Sequence, residues 1–425
     1  MNSKTQKTIT PKLRFPEFQG SDSWYIPSLS EISERITKKV GGKSLETVSI
    51  TAGVGFVTQA EKFSRDISGK QYKNYIILNE GEFSYNKGNS KKFPQGCIYQ
   101  LKEFKQVAVP NAFISFRLNK GHIANFYQGY FDSNYHGKQL ARFITSGARG
   151  DGLLNINAYD FFSIKFPTPN DLEEQQKVAG CLSTIDEVID FERQKLSILR
   201  AHKKGLMQNL FPAEDKMLPK FRFPEFGASP DWGKKPLRGL ADRVTTKNKG
   251  SEISRVLTNS AINGIVDQRD YFNKDIANQA NLEGYSVVDK GDYVYNPRTS
   301  VSAPVGPISK NKCGAGVMSP LYTVFRFKSD INNFFEHYFK SSYWHSYLYK
   351  IANAGARHDR MSITNDSFME MPLPYPPTEK EQQKIADCLS SADGMITTQE
   401  QKIEALKDHK KGLMQQLFPK HEELT

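Results

Sequence analysis

Glu174 to Pro212 reads EQQKVAGCLSTIDEVIDFERQKLSILRAHKKGLMQNLFP, and from Glu381 to Pro419 the phrase returns as EQQKIADCLSSADGMITTQEQKIEALKDHKKGLMQQLFP. About 23 of the 39 aligned positions are identical at an offset of 207, so the chain is an internal repeat. Apolar residues recur at steps of four and three: Val178, Leu182, Ile185, Ile189, Leu196, Leu199, Leu206 and Leu210 in the first copy, and Ile385, Leu389, Ala392, Ile396, Ile403, Leu406, Leu413 and Leu417 in the second. That spacing predicts an amphipathic helix with a coiled-coil seam. Neither copy contains Pro before its last position, so each helix would run roughly 39 residues, about 58 Å at 1.5 Å per residue. Polar residues interrupt the two seams at matching points, Glu192 and Lys203 against Gln399 and Lys410. A polar seam position is tolerable only opposite a group that pairs with it, which predicts two helices packed on each other. Leu196, Leu199, Ile403 and Leu406 should then be buried between them.

The repeat extends beyond the helices. Pro11 to Phe18 reads PKLRFPEF and is followed by Trp24; Pro219 to Phe226 reads PKFRFPEF and is followed by Trp232. Between each entry phrase and its helix lie short β-branched and aromatic runs, such as Tyr75 to Leu78 and Leu321 to Phe325, separated by Gly, Asn and Pro, while Ile331 to Ile351 reads as helical. The expected fold is therefore α+β, with two mixed α/β domains separated by a pair of long antiparallel coiled-coil helices in a pseudo-two-fold repeat. The expected boundaries are 1–170 for the first domain, 171–212 for the first long helix, 213–377 for a linker and the second domain, and 378–425 for the second long helix and tail. The domains would sit at opposite ends of the helical rod.

A net charge of +12 points to a polyanionic partner, and 38% hydrophobic residues exclude a disordered chain. No apolar run has the length of a membrane span and MNSKTQKTIT has no hydrophobic leader core, so a cytoplasmic location is expected. Of the four cysteines, Cys181 and Cys388 occupy one repeated position, and no CxxC or Cys/His cluster exists, which favours reduced thiols over disulfides or zinc.

No stretch recommends itself as a catalytic or metal site. Gly53-Val54-Gly55 and Gly314-Ala315-Gly316 lack the strand, helix and acidic residue of a nucleotide loop. Asn296-Pro297-Arg298 falls short of the Asn-Pro-Pro-aromatic element of amino-methyltransferases. Nucleic-acid contacts are better motivated. Tyr85, Asn86, Lys87, Asn89, Lys91 and Lys92 follow a strand on a Gly-containing loop, and Tyr295, Asn296, Arg298, Thr299 and Ser300 occupy its counterpart. Asn and Arg can read adenine and guanine edges, while Lys and Ser hold phosphates; a purely structural role for the Tyr-Asn pair is the competing reading. Arg149, in the Gly147–Gly152 loop, and Arg357 and Arg360, in the Gly355–Arg360 loop, are further candidates because glycines let backbone approach a phosphate. Lys203-Lys204 and Lys410-Lys411, near the helix ends, are candidate partner-binding residues.

Taken together, the PKxRFPEF phrases with their Trp, the Gly-acidic-aromatic-x-Tyr-Asn islands, the Gly-Ala-Arg loops and the EQQK…KKGLMQ-x-LFP helices resemble the specificity (S) subunit of type I restriction-modification systems. The resemblance covers nearly the whole chain and both halves, as in a full-length subunit with two target-recognition domains. It implies a non-catalytic chain in which each domain reads one half of a bipartite, asymmetric site on double-stranded DNA. It also implies that the paired helices set the spacer and carry two methyltransferase subunits, which use S-adenosylmethionine, and that the assembly recruits restriction subunits using ATP and Mg. No cofactor is expected on this chain. Two other classes stay open: a fused single-chain DNA methyltransferase or restriction enzyme, which would need the missing cofactor loop, and a coiled-coil adaptor without DNA, which leaves two basic, aromatic-rich domains unexplained.

Overall fold

The EQQK phrases lie at the heads of two continuous α-helices of 39 residues each, Leu172–Leu210 and Glu379–Leu417. The structure is a computed structural model that describes residues 8–88, 90, 93–144, 153–214, 216–272, 282–329, 333–352 and 359–420. Both helices are shared between two compact units, one comprising residues 1–193 and 401–425 and the other 194–400. Each unit therefore contains the first part of one long helix and the last part of the other.

Within each unit these parts run antiparallel, and the polar seam residues explain the register. In the first unit Lys410 is paired with Asp186 at 2.8 Å and with Asp132 of the globular part at 3.2 Å, and Glu192 is paired with Lys402 at 2.5 Å. In the second, Lys203 bonds Asp393, and Arg200 meets Glu400 at 2.6 Å. The seam is less buried than its periodicity suggests: Ile403 is buried, but Leu196, Leu199 and Leu406 are only half covered. Two helices alone offer a seam residue one facing layer, whereas Val178, Leu182, Ile385 and Leu389 gain a second layer from the globular cores.

The globular part of each unit is built on a four-stranded antiparallel sheet with the same strand order. In the first unit it runs Ser33–Ile36, Ile114–Leu118, Phe83–Asn86, Cys97–Gln100; in the second, Ala241–Arg243, Thr323–Phe327, Tyr293–Tyr295, Ile308–Lys310. Two antiparallel strand pairs accompany each sheet, a hairpin and a pair distant in sequence: Val48–Thr51 with Gly55–Thr58 and Ile76–Asn79 with Gln106–Val109, matched by Leu257–Ser260 with Gly264–Asp267 and Ser286–Val288 with Gly316–Met318. The stretch read as helical near residues 331–351 forms two helices, Phe334–Phe339 and His345–Ile351. All four cysteines are free thiols.

Aromatic side chains fill the space between sheet and long helices. In the first unit Phe126 and Tyr130 pack on Phe418 at 5.5 and 4.1 Å, in a core that also holds Phe131 and Phe166. Gly129 makes this possible: a Cβ there would come within 2.7 Å of the Phe418 ring. In the second unit Phe211 packs on Phe334 and Tyr338 at 5.3 and 5.5 Å.

The entry phrase is tied to the helix by a buried carboxylate. Arg14 donates from Nε and Nη2 to the two oxygens of Glu174 at 2.7 and 2.8 Å, and the Trp24 indole N–H reaches Glu174 Oε1 at 3.1 Å. The same clamp recurs as Arg222 to Glu381 at 2.7 and 2.8 Å with Trp232 at 2.9 Å. Each arginine also donates to two carbonyls of its own segment, those of Ser21 and Asp22 or of Ser229 and Pro230. The Glu174 side chain is 1% exposed and that of Arg14 7%, so the bidentate pair is nearly dry, and its hydrogen bonds to the carboxylate raise the Arg14 pKa. Removing one member of such a pair strands a buried charge. Glu174→Ala is expected to destabilise the first unit by about 3–5 kcal/mol, read as a lowered urea midpoint for that unit, whereas Glu17→Ala, which removes an exposed pair with Lys177, should leave that midpoint essentially where it was.

Candidate nucleic-acid interface

Tyr-Asn stands at the end of both central strands, within the first and running just past the second, and the structure gives that dipeptide a framing role. Tyr85 and Tyr295 are buried, stacked on Phe161 and Phe368 at 4.8 and 4.7 Å, with their hydroxyls donating to Gln95 O and Val305 O at 2.8 and 2.9 Å. Burial raises both phenol pKa values well above the usual range. The next residue does two jobs. Asn86 accepts from Gly88 N at 2.9 Å and donates to Ile50 O at 3.2 Å; Asn296 accepts from Arg298 N at 3.0 Å and donates to Asn259 O at 2.9 Å. Each asparagine thus turns its own loop and staples it to the neighbouring hairpin. The loops close at Gly96 and Gly306, with φ of 76° and 84°, where a Cβ would come within 2.4 and 2.0 Å of the asparagine carbonyl oxygens. Tyr85, Asn86, Tyr295 and Asn296 therefore shape the loops, their polar atoms engaged within the protein.

What the frames display is different. In the second unit Arg298, Thr299 and Ser300 lie together with Arg360, because Thr299 N donates to Asp359 O at 3.0 Å and Met361 N to Pro297 O at 2.9 Å. Arg298 is 62% exposed, with Asp359 3.9 Å away, and Ser300 is exposed. The corresponding pairing in the first unit joins Gly88 to Leu153, with Leu154 N donating to Lys87 O at 2.9 Å, while the Lys87 ammonium reaches Ile156 O at 3.5 Å. Asn89, Lys91, Lys92, Arg149 and Arg357 lie outside the described residues. Beside the second loop a cleft of about 890 Å³ is lined by Ser302, Lys203, Lys204, Lys310, Lys312 and Lys340. Its charge is partly balanced by Glu336, which contacts Lys312 at 2.7 Å and Lys340 at 3.2 Å. Among the described residues no group of three or more His, Cys, Asp or Glu is placed to hold a metal, and no helix is long and apolar enough to cross a membrane.

Residues 26–200 and 255–408 match the family model described as the type I restriction modification DNA specificity domain. The chain belongs to that family. It is 27% identical over 315 residues to the putative type I restriction enzyme MjaX specificity subunit of Methanocaldococcus jannaschii, covering 71% of this chain and 69% of that one. Its fold is similar to the crystal structure of a type I restriction-modification S subunit from M. genitalium, with a TM-score of 0.54 at 14% identity over 97% of this chain and 99% of that one. A chain from a structural study of complex assembly and conformational transition in a type I system gives the same TM-score and identity, over 93% and 97%. The protein is the non-catalytic specificity component of a type I restriction-modification system.

For this specificity subunit, the helix-end lysines divide into two kinds. Lys203 and Lys410 are 13% and 14% exposed and bound to carboxylates of their own units, so within each unit they tie the parts of the two long helices together. Lys204 and Lys411 are exposed. Sequence reasoning missed the hairpin contacts at Ile50 and Asn259, which are backbone carbonyls and leave no residue signature. It also missed the clamp glutamates, although Arg, Trp and Glu recur at both offsets.

A buried histidine sits behind the first loop. His136 Nε2 faces Gly96 O at 3.4 Å, and burial pushes its pKa down to about 4 from an ordinary 6.5. His337, in the second unit, is lowered to about 4 chiefly by burial and next by Lys340. Between these values the unfolded chain binds a proton that the folded chain refuses, so stability falls as pH drops from about 6.5 towards 4 and is unaffected by these groups above that window. Between pH 7 and pH 5 each should cost the specificity subunit about 2 kcal/mol, measured by urea unfolding, and His136→Gln should remove the share of the first unit.

Proposed function

We propose that each unit of the specificity subunit reads one half of a bipartite, asymmetric site on double-stranded DNA, through the loop between Asn86 and Gly96 in the first and between Asn296 and Gly306 in the second. The observation that carries this reading is the contrast between identical framing and different content. Tyr, Asn and Gly take the same places in both units, while the residues that follow the asparagine differ, Lys87 and Ser90 in one and Arg298, Thr299 and Ser300 in the other. A common fold is thereby given two chemistries, as two different half-sites require. Asn89, Lys91, Lys92, Arg149 and Arg357 belong to the same proposal by their positions in the sequence.

The long helices, on this reading, set the spacer and seat two methyltransferase subunits, the partners that bring S-adenosylmethionine; restriction subunits bring ATP and Mg. Exposed apolar side chains on the helices, Val188 and Phe191 in the first unit and Ile198 and Met395 in the second, support a protein partner, since such groups gain by leaving water. Lys411 in the first unit and Lys204 in the second are exposed charges on the same helices.

Two outcomes test the reading. Arg298→Ala in the assembled complex is expected to cost roughly 1–3 kcal/mol of DNA affinity and to relax the second half-site at one position, whereas Lys91→Ala or Lys92→Ala should weaken all sequences equally and lower the salt slope by about one. Sequencing the methylated motif decides between reading and holding, and an unaltered second word after Arg298→Ala would remove that residue from the readers. Inserting four helical residues into both helices, after Arg193 and after Glu400, adds about 6 Å and should lengthen the unread spacer by about two base pairs while leaving both words unchanged. A folded, active insertion complex that keeps its old spacer would refute the ruler.

A further inference from the structure

The loops between Asn86 and Gly96 and between Asn296 and Gly306 contain equal numbers of residues, so they correspond position by position. Lys91-Lys92 of the first stands where Val301-Ser302 stands in the second. A cation has an obvious use beside a polyanion; an aliphatic side chain held out into water does not. Yet Val301 is fully exposed, and its turn is closed from several sides. Ser300 N donates to Ala303 O at 3.0 Å, Ala303 N donates to Ser300 O at 3.2 Å and to Ser300 Oγ at 3.1 Å, and the Ser300 and Ser302 hydroxyls lie 3.3 Å apart. Below the turn, Thr299 is tied to Asp359, Pro297 to Met361 and Asn296 to Asn259. Val301 is β-branched and short, so it has neither the reach nor the backbone freedom to fold back on the core.

An apolar group presented among hydroxyls, three residues after an exposed arginine, gains only by meeting another apolar group. Among the base edges in the major groove, the apolar group on offer is the C5 methyl of thymine, and phosphate oxygens offer none. We infer that Val301 is a specificity-determining residue that packs against a thymine methyl in the second half-site, beside the polar contacts of Arg298. The inference rests on the proposal that this loop reads DNA. Its counterpart in the first unit, with lysines at those positions, would lack this preference, so the two half-sites differ in kind at that point.

The test uses the complex assembled with its methyltransferase partner and duplexes carrying its own methylated motif. Each thymine of the second half-site, on either strand, is replaced in turn by deoxyuridine, which removes the methyl group alone. One replacement is expected to weaken binding by the wild-type complex about fourfold, the worth of one buried methyl, while the Val301→Ser complex binds thymine and uracil duplexes equally. Insensitivity of the wild type to every uracil, or an undiminished thymine preference in Val301→Ser, would overturn the inference. So would a Val301→Ser chain that fails to assemble with the methyltransferase, because the side chain would then serve a protein contact. A second variant, with residues 297–305 replaced by the sequence of 87–95, separates the two levels. If that exchange leaves the second word unchanged, the loop does not read DNA and both claims fall; if it alters the word while Val301→Ser keeps its thymine preference, only the role of Val301 is lost.

Discussion

A dry carboxylate at the head of each long helix is the constraint on which each unit depends. Glu174 and Glu381 stand in the first turn, where the helix dipole favours negative charge, and each accepts both arms of an arginine and an indole N–H. Taking such charges out of water is costly, and that cost is offset only when every member is in place. The clamp therefore acts as a register device: it fixes the PKxRFPEF segment against one point of one helix, and with it the Trp24 or Trp232 side chain on which the core begins. Arg14 gives two further N–H groups to carbonyls of its own turn, so the entry segment is shaped by the same residue that anchors it.

The two units complete their cores in different ways. Residues 194–400 are continuous, so the second unit closes Leu210 and Phe211 over Phe334 and Tyr338 from one stretch of chain. The first unit needs residues on both sides of that stretch, because Met414, Leu417 and Phe418 fill the space beside Phe126 and Tyr130. Its closure entropy is thus larger, although such entropy grows only with the logarithm of the intervening length. Gly129 and the bracketing of Lys410 by Asp186 and Asp132 give the returning segment a fitted seat. The second unit has His337 and Lys340 at the corresponding positions of its helix, so the two seats have diverged in shape and charge.

Much of this architecture was legible in the sequence, for a physical reason: helices and repeats are periodic. The seam pattern and its matched interruptions led to paired helices, and three of the four interruptions are ion-paired, Glu192 with Lys402, Lys203 with Asp393 and Lys410 with Asp186. Periodicity does not reveal how many layers cover a seam, which is why Leu196, Leu199 and Leu406 are only half buried. Nor does it tell a displayed side chain from a framing one. Tyr85 and Asn86 have the chemistry of base contacts, yet their polar atoms are spent on Gln95, Gly88 and Ile50, partners that only the closed fold brings near. Repetition of Tyr-Asn in both units was itself the sign of a shared structural task, since a residue that distinguishes two half-sites has reason to differ.

That contrast sets out how one chain can hold two recognition surfaces without two folds. Close packing makes the core intolerant of change: a Cβ at Gly306 meets a carbonyl oxygen at 2.0 Å, and the Tyr295 ring is held face to face with Phe368. The tip of the second loop has no such neighbours. Arg298 and Val301 are exposed and can be replaced without disturbing the hydrogen bonds that hold the loop, which come from backbone atoms, from Ser300 and from Asn296. On the proposed reading, the asymmetry of the DNA site follows from this division. The clamp, the sheet and the Tyr-Asn frame specify where a loop stands, and the few side chains at its tip specify what it reads there.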